Sequence, residues 1–145
     1  MAPFRLGLVG AGRMGRTHLR ALAGSDLVAV TAIAEMSAAA REAVAARGVT
    51  LHASVAEMLA AAAIDGVLIV APTDQHGAII AEVAARGLPV LCEKPCGLTA
   101  EAVRASAAAA AAAGAPLQVA YWRRFVPGLR RLRDRIGRAS CRERV

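Results

Sequence analysis

The stretch Leu6–Gly15, LGLVGAGRMG, constrains this chain more than any other. A short apolar run feeds Gly10-Ala11-Gly12-Arg13-Met14-Gly15, which fits the spacing G-x-G-x-x-G. The first glycine allows a tight strand-to-helix turn, and the second lets the backbone approach a pyrophosphate. The third lets the helix sit close on the strand. A helix opening there aims unpaired N–H groups and its positive dipole end at phosphates. Glycine-rich turns also occur in loops that hold nothing, so the context decides. Here a strand-like run precedes the turn and a helix-like run follows it. That context predicts a dinucleotide site contacting Gly10, Gly12, Arg13, Met14 and Gly15.

Strand and helix patterns alternate along the rest of the chain. Arg5–Gly10 reads as a strand, Met14–Leu22 as a helix and Leu27–Ala34 as the next strand. Ser37 caps a helix expected to run to about Arg47, and a short strand follows near Val49–His52. Ser54-Val55-Ala56-Glu57 is a capping box, in which hydroxyl and carboxylate satisfy reciprocal backbone donors. Gly66–Ala71 is an apolar strand patterned for burial on both faces. A helix is expected from about Gln75 to Arg86, with Gly87 ending it, and Thr73 or Asp74 is a natural cap before it. Leu88–Glu93 makes a strand, Thr99 caps an alanine-rich helix, and Gly114-Ala115-Pro116 stops that helix. Leu117–Tyr121 is a sixth strand, and a short helix starts near Pro127. Six strands separated by helices specify an α/β fold. The expected form is a doubly wound parallel sheet with right-handed crossovers and strand order 3-2-1-4-5-6.

A chain of 145 residues is long enough for one domain with its own core. Its 57% hydrophobic content overstates that core, because much of it is alanine. Phe4, Tyr121, Trp122 and Phe125 are the only aromatics, so packing rests on Val, Leu and Ile. The net charge of +7 is confined to one end. Residues 1–122 balance to zero, and residues 123–145 hold nine arginines against Asp134 and Glu143. Charge gathered in that way reads as a tail or a helix face, and no aromatic platform accompanies it, which argues against nucleic acid. Cys92 and Cys96 flank Glu-Lys-Pro with the wrong spacing for a zinc knuckle, and Cys141 stands apart. They read as buried thiols of a cytoplasmic protein, with no metal set. The N-terminus lacks a basic region followed by an apolar core, so no signal peptide is expected. Ala105–Trp122 is uncharged but too weakly apolar to enter a membrane.

Three sites beyond the glycine turn carry chemistry. Glu35 lies 20 residues past Gly15, at the end of the second strand. A carboxylate there accepts both ribose hydroxyls of NAD and repels a 2′-phosphate. Ser37 and Arg41 nearby keep NADP open as the less favoured cofactor. Pro72-Thr73-Asp74-Gln75-His76 bridges the fourth strand to its helix, at a carboxyl edge where cofactors lie, and nominates Pro72, Thr73 and His76. Glu93-Lys94-Pro95 ends the fifth strand, and Lys94 is the one lysine among eighteen basic residues. An amine can both donate and accept a proton, which arginine cannot, so Lys94 is the candidate catalytic residue.

With GAGRMG, Glu35, PTDQH, EKP and the segment Tyr121–Pro127 in this order, the chain resembles the Gfo/Idh/MocA oxidoreductase family over residues 4–135. The resemblance implies NAD(P)-dependent oxidation of a secondary alcohol on a polyol or sugar, with inositol 2-dehydrogenases as the most similar members. Lys94 would match the family's active-site lysine. Glu93 and Arg124 would lie near the cofactor. Non-catalytic, nucleotide-sensing relatives of the same fold are the alternative. Family members carry a second α/β domain that walls the substrate pocket and supplies an Asp and a His to work with the lysine. They are expected to be homo-oligomers at full length. Residues 1–135 are therefore expected to be the dinucleotide-binding domain alone, without turnover in isolation. Ile136–Val145, IGRASCRERV, resembles the translation of a sequencing-adapter sequence. It is expected to be a non-native tail, with Arg138, Arg142 and Arg144 exposed.

Overall fold

Four consecutive buried residues, Gly66–Ile69, form the strand on which the sheet is centred. The computed structural model describes residues 2–45 and 49–142, with side chains up to residue 136. The order of elements is β1 (Phe4–Val9), α1 (Arg13–Leu22), β2 (Val28–Ala34), α2 (Ala38–Glu42), β3 (Thr50–His52) and α3 (Val55–Ala61). There follow β4 (Gly66–Ile69), a 3-10 turn (Thr73–Gln75), α4 (His76–Ala84), β5 (Val90–Cys92) and α5 (Ala100–Ala112). The chain continues through β6 (Leu117–Val119), a second 3-10 turn (Trp122–Phe125) and α6 (Pro127–Arg142). All strands are parallel, in the order β3-β2-β1-β4-β5-β6. The chain reverses direction across the sheet between β1 and β4, which leaves a crevice at their carboxyl ends.

The apolar residues divide between the two faces. Leu19 of α1 and Val44 after α2 pack with Leu8, Ile33 and Leu68 on one side. Met58 and Leu59 of α3, and Ile79, Ile80 and Val83 of α4, pack with Val9, Val67 and Ile69 on the other. Alanine closes a third contact, where Ala84, Ala110 and Ala115 let α5 approach α4. Small side chains make that approach possible, and they also explain how so few large apolar groups suffice.

The expected caps form. Ser37, Ser54 and Thr99 accept from Ala40, Glu57 and Ala102 amides. The carboxylate of Glu57 reaches back to the Ala53 amide, one residue beyond the usual partner in a capping box. Several expectations need correction. Helix α2 ends at Glu42, because the chain tightens there: the Val44 amide donates to Arg41, and Val44 turns fully into the core. The rest of the helix expected to run to Arg47 falls on 46–48, outside the described residues. No side chain caps α4. Its first turn is instead prefaced by the 3-10 turn, with the Gln75 amide on the Pro72 carbonyl. Strands β4, β5 and β6 are each shorter than their apolar runs. The residues trimmed from their carboxyl ends build the loops of the crevice. Helix α6 is longer than expected at 16 residues, and exposes Leu129, Leu132 and Ile136. The exposure expected of Arg138, Arg142 and Arg144 falls outside the described residues.

At the opposite end of the sheet, Arg5 and Asp65 tie the start of β1 to the approach to β4. The Asp65 carboxylate accepts from both the guanidinium and the backbone amide of Arg5. The side-chain bond, followed by the backbone one, holds the Asp65 carboxyl at about 2, below its usual 3.8. A depressed acid contributes stability above its unfolded value and loses it as pH falls through the folded one. Urea midpoints measured against pH should therefore drop between about 4 and 2, and Asp65→Asn should flatten the curve in that window only.

Candidate functional site

The glycine turn sits where β1 delivers the chain to α1. Gly10 has φ +99°, a conformation L side chains rarely adopt, and a Cβ there would press on the Val70 backbone at 3.0 Å. A Cβ on Gly15 would stand 2.1 Å from the Gly10 carbonyl oxygen, so α1 touches the end of β1 with no room between them. Gly12 differs. A Cβ there would meet nothing within 4 Å, so the protein's own packing does not require glycine at this position. Open space beside a helix start fits a group that needs close backbone approach. Gly12 is also the N-cap residue of α1, and no side chain caps that end. The helix's first amides thus remain free for an outside acceptor.

Two cavities, each of about 280 Å³, flank this turn along the carboxyl edge. The first is lined in part by Gly10, Glu35, Met36, Val55, Pro72 and Gln75. The Glu35 carboxylate closes it, accepting from the Ala11 amide at 2.7 Å and the Ser37 amide at 2.8 Å. Two amide bonds fix the carboxylate while leaving lone-pair sites for further donors. Arg41 does not face this carboxylate. Its guanidinium donates to the backbone carbonyls of Glu35 and Met36.

The second cavity is lined by Met14, Val70, Ala71, Thr73, His76, Glu93, Lys94 and Trp122. Lys94 is exposed at its rim, whereas Glu93 and His76 are buried. The Glu93 carboxylate accepts from the Lys94 amide at 3.1 Å and lies 3.0 Å from Nε2 of His18 on α1. Both ring nitrogens of His76 face carbonyl oxygens, Nε2 that of Ala71 at 2.8 Å and Nδ1 that of Pro95 at 2.9 Å. A neutral ring supplies one of these N–H donors and an imidazolium both. His76 lines the cavity, but both its ring nitrogens are turned to protein carbonyls.

The expected residues therefore gather in two groups with the glycine turn between them: Gly10, Glu35 and Pro72 on one side, Met14, Thr73, His76, Glu93 and Lys94 on the other. Arg13 lies exposed at the first turn of α1 and lines neither cavity. Arg124 stands outside both as well, its guanidinium 5.3 Å from the centre of the Tyr121 ring. His18 escaped the sequence reading. Its signal was its place one turn beyond Gly15 on the same helix, which turns it toward the strand ends. Cys92 and Cys96 are buried free thiols, and burial, with the neighbouring Cys96 adding to it, pushes the Cys92 thiol up to about 12. Neither is a nucleophile in this setting. Among the described residues, no cluster of His, Cys, Asp or Glu could hold a metal ion, and no helix is long and apolar enough to cross a membrane.

A parallel sheet with a glycine turn at its switch point and an acid at the end of β2 defines a nicotinamide-dinucleotide-binding domain. Residues 4–121 match the model of the oxidoreductase family with an NAD-binding Rossmann fold, and the chain belongs to that family, Gfo/Idh/MocA. It is 52% identical over 136 residues to the rhizopine catabolism protein MocA of Rhizobium meliloti, covering 94% of this chain and 43% of that protein. It is 39% identical to an inositol 2-dehydrogenase of Rhizobium meliloti strain 1021, covering 91% of this chain and 40% of the relative. The WlbA dehydrogenase of Bordetella pertussis, solved with NADH and UDP-GlcNAcA, superposes with a TM-score of 0.89 at 30% identity, covering 94% and 40% of the two chains. The chain thus spans about two fifths of the length of the relatives it matches.

The glycines separate packing from ligand approach. Gly15→Ala should cost about 1–3 kcal/mol in denaturant melts, the usual range for forcing atoms into a filled space. Gly12→Ala should cost less, about 0.5–1 kcal/mol for alanine at an N-cap, yet weaken NAD binding in calorimetry. Unchanged NAD affinity in Gly12→Ala would show that the open space above the turn serves no ligand.

Proposed function

We propose that this chain is the cofactor-binding part of an NAD-dependent dehydrogenase that oxidises a secondary alcohol of a polyol or sugar, in the manner of inositol 2-dehydrogenases. The observation that carries the reading is the continuous carboxyl edge, with Glu35 at one end, Lys94 at the other and the open glycine turn between. Glu35 would accept the ribose hydroxyls, and Gly12 with the free amides of α1 would lie against the pyrophosphate. Met14, Thr73, Glu93 and Trp122 would surround the nicotinamide end. When bound, NAD supplies the hydride acceptor. The neutral Nζ amine of Lys94 would take the hydroxyl proton of an alcohol brought to the rim of the second cavity.

Glu35 favours NAD over NADP, because a carboxylate fixed by two amides cannot turn away from a 2′-phosphate. Arg41 offers little relief while its guanidinium serves two backbone carbonyls. Calorimetry should find NAD bound more tightly than NADP, and Glu35→Ala should narrow that gap. Preference for NADP in the unaltered chain would overturn this assignment.

Turnover asks for more than the cofactor. Lys94 stands at an open rim, and a substrate must be held in near-attack geometry before its proton can move efficiently. Residues 1–145 alone should therefore bind NAD and leave inositol and sugars unoxidised. A relative carrying both domains should lose about 10²–10⁴ in kcat on replacement of the lysine matching Lys94 by alanine, the usual range for removing a proton-transfer group. Its NAD affinity should be nearly unchanged. Loss of NAD binding at unchanged kcat would make the lysine a cofactor anchor and sink the catalytic role. The tail reading has its own check in the gene, where Arg138, Arg142 and Arg144 should be coded by AGA, AGG and AGA.

A further inference from the structure

Lys94 is carried by a short segment that leaves the sheet at the end of β5, and such a segment needs an outside hold to place a side chain reproducibly. Two histidines supply contacts on either side of it. From α1, on one face of the sheet, His18 Nε2 lies 3.0 Å from Glu93 Oε1, and the second oxygen of that carboxylate accepts the Lys94 amide at 3.1 Å. From α4, on the other face, His76 sets Nδ1 2.9 Å from the Pro95 carbonyl oxygen and Nε2 2.8 Å from that of Ala71. The residues before and after the lysine are thus each fixed by an imidazole, one from each helical layer.

We propose that His18 and His76 are positioning residues for Lys94, clamping Glu93 and Pro95 from opposite faces of the sheet. The proposal rests on the reading of Lys94 as the proton-transfer group. A carboxylate acts here as a two-sided connector. It takes the His18 N–H on one oxygen and the Lys94 N–H on the other, so that rotation of the Glu93 side chain is coupled to the backbone carrying the amine. His76 acts as a donor instead: with its Nδ1–H on the Pro95 carbonyl, one bond that the neutral ring can make, it ties the start of α4 to the loop that follows β5, and both border the second cavity. The Glu93 amide itself donates to Ile69 in the sheet, so the clamp acts beyond the last ladder bond. Neither histidine needs to touch the cofactor or the substrate in this role.

The chain offers two clean reporters. The Lys94 amide hydrogen reads the hold on the backbone directly. Because Lys94 is the one lysine in the sequence, reductive methylation with ¹³C-formaldehyde leaves a single side-chain resonance, identified by its absence in Lys94→Arg. His18→Leu should speed exchange of the Lys94 amide by about tenfold, the loss of a hydrogen bond worth about 1.4 kcal/mol. Amides of Leu91 and Glu93, inside the sheet, should keep their protection. His18→Gln, whose amide can still donate to Glu93, should restore most of the Lys94 protection. His76→Leu, which removes the donor to the Pro95 carbonyl, should likewise speed exchange of the Lys94 amide. His18 is only partly buried, so its variants carry the test even where His76 variants do not fold.

An unchanged Lys94 amide in His18→Leu would overturn the clamp. Equal loss of protection throughout β5 would also overturn it, by making His18 a structural residue. Addition of NAD to the methylated, otherwise unaltered chain separates this from the reading beneath it. A shift of the Lys94 resonance agrees with its place beside the cofactor. No shift, with the exchange results as expected, would remove Lys94 from the cofactor site while leaving its segment clamped.

Discussion

The contact on which this structure depends is the approach of Gly15 to the Gly10 carbonyl. With no side chain between them, the first turn of α1 is pressed against the end of β1, at 2.1 Å from where a Cβ would stand. That closeness aims the helix start at the crevice between β1 and β4. It also sets the height of everything else on α1. His18, one turn further along, arrives level with Glu93 at the end of β5, and Leu19 enters the core beside Leu8 and Ile33. A shift of the helix by the width of a methyl group would disturb the amides, the histidine and the core together.

The same edge gathers two chemistries that the sheet keeps apart. At the β2 end an acid is fixed by the Ala11 and Ser37 amides, so the glycine turn and the Glu35 carboxylate are one hydrogen-bonded unit. At the β5 end an acid is buried instead, and its oxygens are used to hold the lysine segment. Each carboxylate has one protein partner on each oxygen, but Glu35 is only half-buried at the wall of the first cavity, whereas Glu93 is buried. Two carboxylates at equivalent strand ends therefore do different work because of their surroundings.

Much of this was legible before any coordinates. Alternating apolar runs and capping residues gave the element order, and the parallel sheet followed from helices separating every pair of strands. GAGRMG, Glu35, PTDQH and EKP each announced a loop at one edge, because their residue types make sense only at a strand's carboxyl end. Contacts between distant residues were not legible. Nothing in the spacing pairs His18 with Glu93, 75 residues away. Nor does it say that His76 would spend both nitrogens on carbonyls. Strand ends fall short of the apolar pattern where it continues into loops, as after Ile69 and Val119. In α2 the pull of Val44 into the core overrode a helix that alanine alone would have extended.

The central claim is that NAD lies along this one edge, across the glycine turn, from Glu35 to Lys94. Amide NMR spectra recorded while NAD is titrated into the chain test it most directly. The account predicts the largest shifts at Gly12, Arg13 and Met14, with smaller ones reaching Glu35 on one side and Lys94 on the other. Little change is expected at Arg5, Asp65 or Leu117, at the far end of the sheet. Shifts concentrated at that far end, or none at the glycine turn at saturating NAD, would contradict it.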